Sequence, residues 1–486
     1  MNRRCGGLFI FVFLLGAVTG FAQESKPVSC TQLTAWLIGG VSSSRLSAIV
    51  KQRGISFIPV PASTKALKAA GAQASLLETL RAVRPVEVAA ETSCSPELTH
   101  AAELAFQKRY DEVKRGLQTL LKATPDDAGL HFALGYVLQQ QQQWDEAFDE
   151  FNESARLMPG FSETHNRLAL AFYHLEDNDS ALAEARTALS IDPGNAEAYR
   201  LLGLAISASG RYEAAIHAFQ ESLDTDPGNP EVYYDLGITL HQKGDLAGAV
   251  LAYHKALQLR PDYWEAHSNL GLVLHDQNKL DEAIAEYKIA KRLAPNEAAV
   301  RSNLGSTYCD KSEFDAAIAE YRDLFRMDPD WHSGHSCVAK ALMAKHEYSG
   351  AIAELRLAVE NNPMGAVEHR VLGQALLLTH ENSEATRELR IAVSLNPDSA
   401  LAHHYLGMAL ENGGDLPSAV KEYQEAVRVQ PTADNHYYLA ACLIKADEYE
   451  QALEELETAA RMDPGQTLYR ARKDELMKLM RAGDVR

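Results

Sequence analysis

Histidine is the residue whose spacing in this sequence most directly suggests chemistry, because imidazole can bind a metal ion or carry a proton. Seven histidines recur at multiples of 34 residues, the last one residue short: His131, His165, His267, His335, His369, His403 and His436. One histidine per interval supplies no local pair of metal ligands. The closest cluster is His332, His335 and Cys337, but residues two apart point to different faces of a helix, and the adjacent His403 and His404 diverge likewise. We therefore interpret the histidines as flat, partly buried rings, and no metal site is predicted.

The motifs that catalysis usually requires are missing from the sequence. It contains no G-x-S-x-G nucleophile turn, no G-x-x-x-x-G-K-[ST] phosphate loop, no H-E-x-x-H helix and no C-x-x-C pair. The residue pairs His346-Glu347 and His380-Glu381 begin like the H-E-x-x-H motif of a zinc site, but neither is followed by the second histidine. The acidic run Glu454, Glu455 and Glu457 is typical of a solvated helix face. The sequence thus predicts a protein that is not an enzyme and that binds no cofactor.

A repeated pattern of proline, alanine and leucine organises most of the chain. Eleven of the 18 prolines share one register: Pro125, Pro159, Pro193, Pro227, Pro261, Pro295, Pro329, Pro363, Pro397, Pro431 and Pro464. Twelve residues before all but the first of them stands an alanine, and a Leu-Gly or Leu-Ala pair recurs upstream in most units. Proline ends a helix, while glycine and alanine let helix backbones approach. The period therefore predicts stacked helical hairpins.

The repeat resembles the tetratricopeptide repeat family. The stretch AEAYRLLGLAISASGRYEAAIHAFQESLDTDP carries the pattern almost complete, in Tyr199, Leu202-Gly203, Ala215, Phe219 and Pro227. The resemblance implies an all-α, right-handed superhelical α-solenoid of about eleven helix-turn-helix repeats over residues 94–466. The first unit, with Val113 in place of the alanine, is expected to be a partial cap, and residues 467–486 to form a C-terminal capping helix and tail.

The resemblance also implies a peptide-binding groove, lined by the first helix of each hairpin, for one or more protein or peptide partners that the sequence does not identify. The implied groove residues are Asn166, Tyr173, Arg200, Tyr234, His241, Ser268, Asn269, Ser302, Asn303, Arg370 and His404. Asn269 and Asn303 both lie in the phrase SNLG, where an amide could bond a peptide backbone. Ordinary solvated or capping polarity is the alternative for these two residues.

The start of the chain has the pattern of an export signal. Arg3 and Arg4 precede the uncharged apolar run Leu8 to Val18, and small residues end at Ala22. This predicts a signal peptide over residues 1–22, cleaved near Ala22, and a periplasmic or secreted protein without a membrane span after cleavage. An uncleaved anchor is the alternative, although the run is shorter than the roughly 20 residues that span a bilayer.

Residues 23–93 do not share the period and predict a small, mainly helical module. They resemble a module at the front of many exported bacterial multidomain proteins, particularly of acidobacteria, which implies no biochemical role. We expect helices near 43–54, 64–70 and 75–82, and a short β-like stretch from Ile55 to Val60. Cys30 and Cys94 bracket the module, which in an exported chain predicts a disulfide, with two unpaired thiols as the alternative. The state of Cys309, Cys337 and Cys442 stays open.

The charge of the chain narrows the class of partner. The formal net charge is -19, and such a field repels nucleic acid and anionic lipid surfaces. The favoured hypothesis is a non-catalytic scaffold of the cell envelope or exterior that binds proteins or peptides. The alternative is an accessory subunit of an envelope assembly or secretion machine, and the least favoured hypothesis is an enzyme activity in the N-terminal module.

Overall fold

The computed structural model describes residues 26–86 and 94–482, and the predicted signal peptide lies outside these ranges. Across the described residues the fold is all-α, with 27 helices and no strand. The predicted fold class is confirmed. The chain forms two compact units, one that ends at Asp245 and one that starts at Leu246. No helix in the described ranges is both long enough and apolar enough to span a bilayer.

The first unit contains the N-terminal module and the first repeats. The module has four helices: α1 (Cys30–Ile38), α2 (Ser43–Arg53), α3 (Pro61–Ala69) and α4 (Ala74–Ala82). The repeat helices are α5 (Pro96–Phe106), α6 (Tyr110–Ala123), α7 (Ala128–Gln140), α8 (Trp144–Leu157), α9 (Ser162–His174), α10 (Asn178–Ile191), α11 (Ala196–Ala208), α12 (Tyr212–Thr225) and α13 (Pro230–Lys243).

The second unit continues the repeats to the end of the described chain. Its helices are α14 (Leu246–Leu259), α15 (Trp264–Asp276), α16 (Leu280–Leu293), α17 (Ala298–Asp310), α18 (Phe314–Met327), α19 (His335–Ala344), α20 (Tyr348–Asn361), α21 (Ala366–Leu378), α22 (Asn382–Leu395), α23 (Ala400–Asn412), α24 (Leu416–Val429), α25 (Ala433–Lys445), α26 (Tyr449–Met462) and α27 (Thr467–Ala482). Helix α27 packs on α26 and buries Tyr469 and Leu476.

Each hairpin closes where a small residue of its first helix meets a large one of its second. A Cβ added at Gly203 would lie 2.6 Å from the ring of Phe219, and one at Gly271 would lie 2.9 Å from the ring of Tyr287. Since real Cβ atoms do not approach so closely, only glycine lets these rings lie against the backbone of the first helix. The repeated Leu-Gly pair is therefore explained by helix packing.

The turn between the two helices of a hairpin uses one left-handed residue. Gly210 and Gly414 have φ angles of 72° and 84° there. In other repeats a residue with a side chain takes the same place, as His346 and His380 do at φ 61° and 64°. These are the two histidines that begin an incomplete zinc motif in the sequence, and both occupy turn positions.

The N-terminal module differs in part from its predicted form. Helices α2, α3 and α4 match the three predicted helices to within a few residues, and the hydroxyl of Ser42 caps α2. The predicted β-like stretch reduces to one isolated parallel bridge between Val28 and Ile55. Helix α1 was not predicted from the sequence. It is almost entirely buried and shares one apolar core with the first repeats.

Candidate binding groove

The first helices of the hairpins carry one residue in a constant register, two positions before the Leu of the Leu-Gly pair. We call this residue the groove residue; the predicted ones are Asn166, Arg200, Tyr234, Ser268, Ser302, Arg370 and His404, and Phe132 holds the same place in α7. Because the register is constant, these side chains leave equivalent faces of their helices. The environment of each one nevertheless depends on its repeat.

In the first unit the N-terminal module covers the groove face of α7. An added Cβ on Gly39 would overlap the ring of Phe132 at 2.3 Å, and Trp36 stacks on Phe161 with ring centroids 4.4 Å apart. Gly40 lies against the ring of Tyr136, one turn from Phe132 on the same face. The module thus fills the N-terminal end of the predicted groove.

The N-terminal module also contacts α9 through charged side chains. The guanidinium of Arg45 pairs with Glu163 and with Asp192, and its Nη2 donates to Oγ of Ser162 at 3.1 Å. Nη2 of Arg167 donates to the carbonyl of Gly39 at 3.1 Å. This interface was not predicted from the sequence, since its partners are up to 128 residues apart and follow no period.

Asn166 lies buried next to this interface. Its Nδ2 donates to Oδ1 of Asn195 at 3.2 Å, and Nδ2 of Asn195 donates to Oγ of Ser162 at 3.2 Å. Only 6% of Asn166 is exposed, so the side chain belongs to an internal polar network and offers little surface to a partner.

Arg200 is held by two carboxylates of its own chain. Its Nε and Nη2 lie 2.9 and 2.7 Å from Glu197, and its Nη1 lies 2.7 Å from Oδ2 of Asp235 on α13. Burial raises the pKa of Asp235 to about 6, although the charge of Arg200 opposes that rise. Burial also raises the pKa of Tyr173, another residue predicted to line the groove, and the charge of Asp235 is a further cause of the rise.

The remaining predicted residues around the middle of the chain are buried or half-buried. Tyr234 and His241 on α13 are half-buried. Asn269 on α15 and Ser302 and Asn303 on α17 are also half-buried, whereas Ser268 on α15 is buried. Oγ of Ser302 lies 3.4 Å from Oγ of Ser333, and its carbonyl accepts a hydrogen bond from the hydroxyl of Tyr321. Asn269 and Asn303 keep the same place in neighbouring repeats, as the SNLG phrases predicted.

The first helices α21, α23 and α25 expose several large apolar side chains. Val367, Leu401 and Leu378 are 59%, 54% and 47% exposed. Tyr438 is 39% exposed, and its ring meets that of His404 with centroids 4.6 Å apart. Helices α21 and α23 pack directly on each other. We call the surface formed by Val367, Arg370, Leu378, Leu401 and Tyr438 the apolar groove face.

His404 is a buried polar residue next to the apolar groove face. Its ring also contacts Tyr405 and Tyr423, and its Nδ1 has no hydrogen-bond partner in the described part of the chain. Burial lowers the pKa of His404, so the imidazole is neutral at pH 7 and packs as an aromatic ring.

The seven recurring histidines form a second repeated structure in the hairpins. Nδ1 of each lies 2.5 to 2.7 Å from a glutamate nineteen residues later, in the pairs His131–Glu150, His165–Glu184, His267–Glu286, His335–Glu354, His369–Glu388, His403–Glu422 and His436–Glu455. In five of these pairs, Nε2 of the histidine also forms a hydrogen bond with the carbonyl of the proline six residues earlier. We call this arrangement the histidine clip.

The sequence predicted the histidines only as flat, partly buried rings, and their glutamate partners were not predicted. A signal for these partners exists in the sequence, because the glutamate follows the histidine at a constant distance. Arg301 and Glu320 keep the same spacing with arginine in place of histidine, whereas Ala218 and Ala252 stand nineteen residues after Tyr199 and Tyr233. In the cluster considered as a metal site, His335 belongs to a clip and Cys337 lies beside Cys309.

Cysteines come together in two places. Cys30 and Cys94 are joined, with Cα atoms 5.1 Å apart, and Cys309 and Cys337 link α17 to α19, with Cα atoms 6.1 Å apart. Cys442 is a buried free thiol, and burial raises its pKa to about 11. Within the described ranges, no three His, Cys, Asp or Glu side chains converge as metal donors.

The geometry defines a class of protein: a stack of helical hairpins whose first helices repeat one register. Tetratricopeptide repeat models match residues 98–160, 166–230, 370–434 and 406–467, then 218–250 and 265–297, and a TPR repeat model matches 239–278. Together these matches span more than half of the chain. The chain belongs to the tetratricopeptide repeat family, whose members are generally non-catalytic scaffolds that bind proteins or peptides.

Solved structures of helical repeat proteins are similar over parts of the chain. The pilF protein of Pseudomonas aeruginosa is 20% identical, with a TM-score of 0.39, over 43% of this chain and 94% of its own. A tetratricopeptide repeat protein from Parabacteroides merdae is 19% identical, with a TM-score of 0.37, over 51% and 98%. Yeast Tom70 is 15% identical, with a TM-score of 0.33, over 79% and 94%. No curated protein matches the chain.

Proposed function

We propose that this protein is a non-catalytic scaffold of the cell envelope or exterior, which binds a protein or peptide segment on the apolar groove face. The observation that carries the proposal is the exposure of Val367, Leu378 and Leu401 on neighbouring first helices. Exposed large apolar side chains on neighbouring helices mark an interaction surface, because their burial against a partner removes apolar area from water.

The location outside the cytosol rests on two features of the chain. The first residues have the basic start and apolar run of an export signal, and two cysteine pairs lie close enough to be joined. Disulfides persist in oxidising compartments, so both features point to the same location.

Site-specific photocrosslinking in the native host tests the binding proposal. A photoreactive amino acid replaces Leu401 on the apolar groove face, and a control variant carries it at Leu357, which is 43% exposed on the second helix α20. We expect a discrete adduct from position 401 that is absent from position 357. Equal labelling at both positions would contradict a binding surface on these first helices.

Cell fractionation with N-terminal sequencing tests the location. The expected result is mature protein that starts after Ala22 and is found in the periplasm or the medium. Cytosolic protein with Met1 intact would overturn the location and leave the groove proposal untouched.

A further inference from the structure

Arg200 and Arg370 are groove residues five repeats apart, and they hold the same place on α11 and α21. Their surroundings differ. The guanidinium of Arg200 is saturated by Glu197, one turn before it, and by Asp235 on the next first helix. Only 14% of the Arg200 side chain is exposed, so its charge is satisfied within the chain.

Five repeats later, both carboxylates are replaced. The residue that corresponds to Glu197 is Val367, and the one that corresponds to Asp235 is Tyr405. Burial raises the pKa of Tyr405, and the positive charge of Arg370 partly offsets the rise. Within the described residues Arg370 forms no ion pair. It is a half-buried cation without a carboxylate.

The surface around Arg370 strengthens any ion pair made there. Val367 lies one turn before it on the same helix, and Leu401 stands on the adjoining α23, both more than half exposed. A partner that covers these apolar side chains excludes water from the guanidinium, and a charge-assisted hydrogen bond gains strength as the surroundings lose water.

We propose that Arg370 receives an acidic side chain of the bound segment, in the place that Glu197 and Asp235 fill around Arg200. Apolar residues that flank this acid in the segment cover Val367 and Leu401. The partner is therefore an apolar protein segment with an internal aspartate or glutamate. The inference rests on the proposed function, and it names the chemistry of that partner.

The acidic residue of the bound segment lies in the interior of that segment, as the acidic residues around Arg200 do in this chain. Glu197 and Asp235 are side chains of a continuing polypeptide, and the groove residues continue on both sides of Arg370, with Ser336 before it and His404 after it. A chain terminus is not needed to place a carboxylate at this position.

A random library of short peptides with amidated C-termini, selected on the intact protein, tests the inference. We expect the selected peptides to share one acidic residue between apolar ones. Arg370→Leu should weaken their binding about tenfold or more, since a hydrogen bond to a charged group is lost, and Arg370→Lys should restore part of it. The control is Arg390→Leu, an exposed arginine on the second helix α22, which should bind as the unaltered protein does.

A second variant tests the same point with Arg370 retained. Val367→Glu combined with Tyr405→Asp rebuilds the surroundings of Arg200, so Arg370 becomes paired within the chain and the acidic peptides should no longer bind. Circular dichroism shows whether each variant is folded. If Arg370→Leu does not fold, the affinities of Arg370→Lys and of the paired variant decide the question.

The outcomes separate the two proposals. If no peptide is enriched on the intact protein, the proposed function fails for peptides and this inference falls with it. If peptides bind without an acidic residue, or bind Arg370→Leu unchanged, only the inference is overturned. It is also overturned if binding requires a free C-terminal carboxylate, or if the arginine serves self-association instead and Arg370→Leu abolishes an oligomer seen by sedimentation.

Discussion

Nδ1 of His267 lies 2.6 Å from Oε2 of Glu286, nineteen residues later in the same hairpin. Its Nε2 lies 3.1 Å from the carbonyl oxygen of Pro261. An ionised carboxylate and a carbonyl can only accept hydrogen bonds, so both ring nitrogens donate and the imidazole is held as a cation. The clip ties the second helix of a repeat to the first helix and to the proline turn that precedes it.

The histidine and the glutamate of a clip are predicted to be energetically coupled. His267→Tyr should destabilise the fold by about 1 to 3 kcal/mol, because Glu286 loses its partner in a largely buried place. Adding Glu286→Ala recreates the Tyr and Ala combination of the repeats with Tyr199 and Tyr233, and should recover part of the loss. Urea denaturation of both single variants and the double variant measures the coupling. Strictly additive effects would show that the pair is not coupled.

The clips of His131 and His267 predict that stability falls as the pH rises above about 6.5. For His131 the hydrogen bond to Glu150 is the main cause of a raised pKa. For His267 burial lowers the pKa, but the bonds to Glu286 and Pro261 outweigh it, and the net shift from 6.5 is upward. A raised pKa means that the stabilisation is complete below about pH 6.5 and is lost as the pH passes the value in the folded protein.

Denaturant midpoints between pH 6.5 and 9 measure this effect. The unaltered protein should lose stability over the range, and the variant with both His131 and His267 replaced by phenylalanine should lose less. Asp235, with a pKa of about 6, gives up its proton mostly below this range and does not obscure the result. An identical pH dependence in both proteins would contradict the role of the clips.

Ala249 and Ala283 are fully buried in α14 and α16, where the repeat pattern places a small residue. Replacing either by leucine should cost about 1 to 3 kcal/mol, because the extra atoms have no space between the helices. Thermal melting measures the loss. Ala247→Leu, at an exposed site on α14, is the matched control and should melt close to the unaltered protein. Melting curves unchanged by both buried substitutions would show that the register is wrong.

The cysteines give a prediction about covalent state. Peptide mapping of the exported protein without reduction should recover Cys30 linked to Cys94 and Cys309 linked to Cys337, with Cys442 alone as a thiol. The buried Cys442 should react with iodoacetamide only after unfolding, since its raised pKa and burial keep it as a protected thiol. Recovery of Cys30 and Cys94 as free thiols would refute the first link.

The sequence by itself determined the repeat, its class and the place where each second helix ends. The proline of each unit ends a second helix, and the Leu-Gly pair marks where an aromatic ring such as that of Phe219 lies against the first helix. These features depend on residues close together in the chain and repeat many times, so a single sequence displays them through its period.

Only the tertiary structure decided which part of the groove is open. Arg45 reaches Glu163 and Asp192, and Trp36 stacks on Phe161, across more than a hundred residues without any periodic signal. Such contacts depend on the complementary shape and charge of two folded surfaces. In the same way, Arg200 and Arg370 hold identical groove positions, but only Arg200 is paired with two carboxylates. One of these carboxylates comes from the neighbouring first helix, and the residues around the arginine do not specify which side chain that helix supplies.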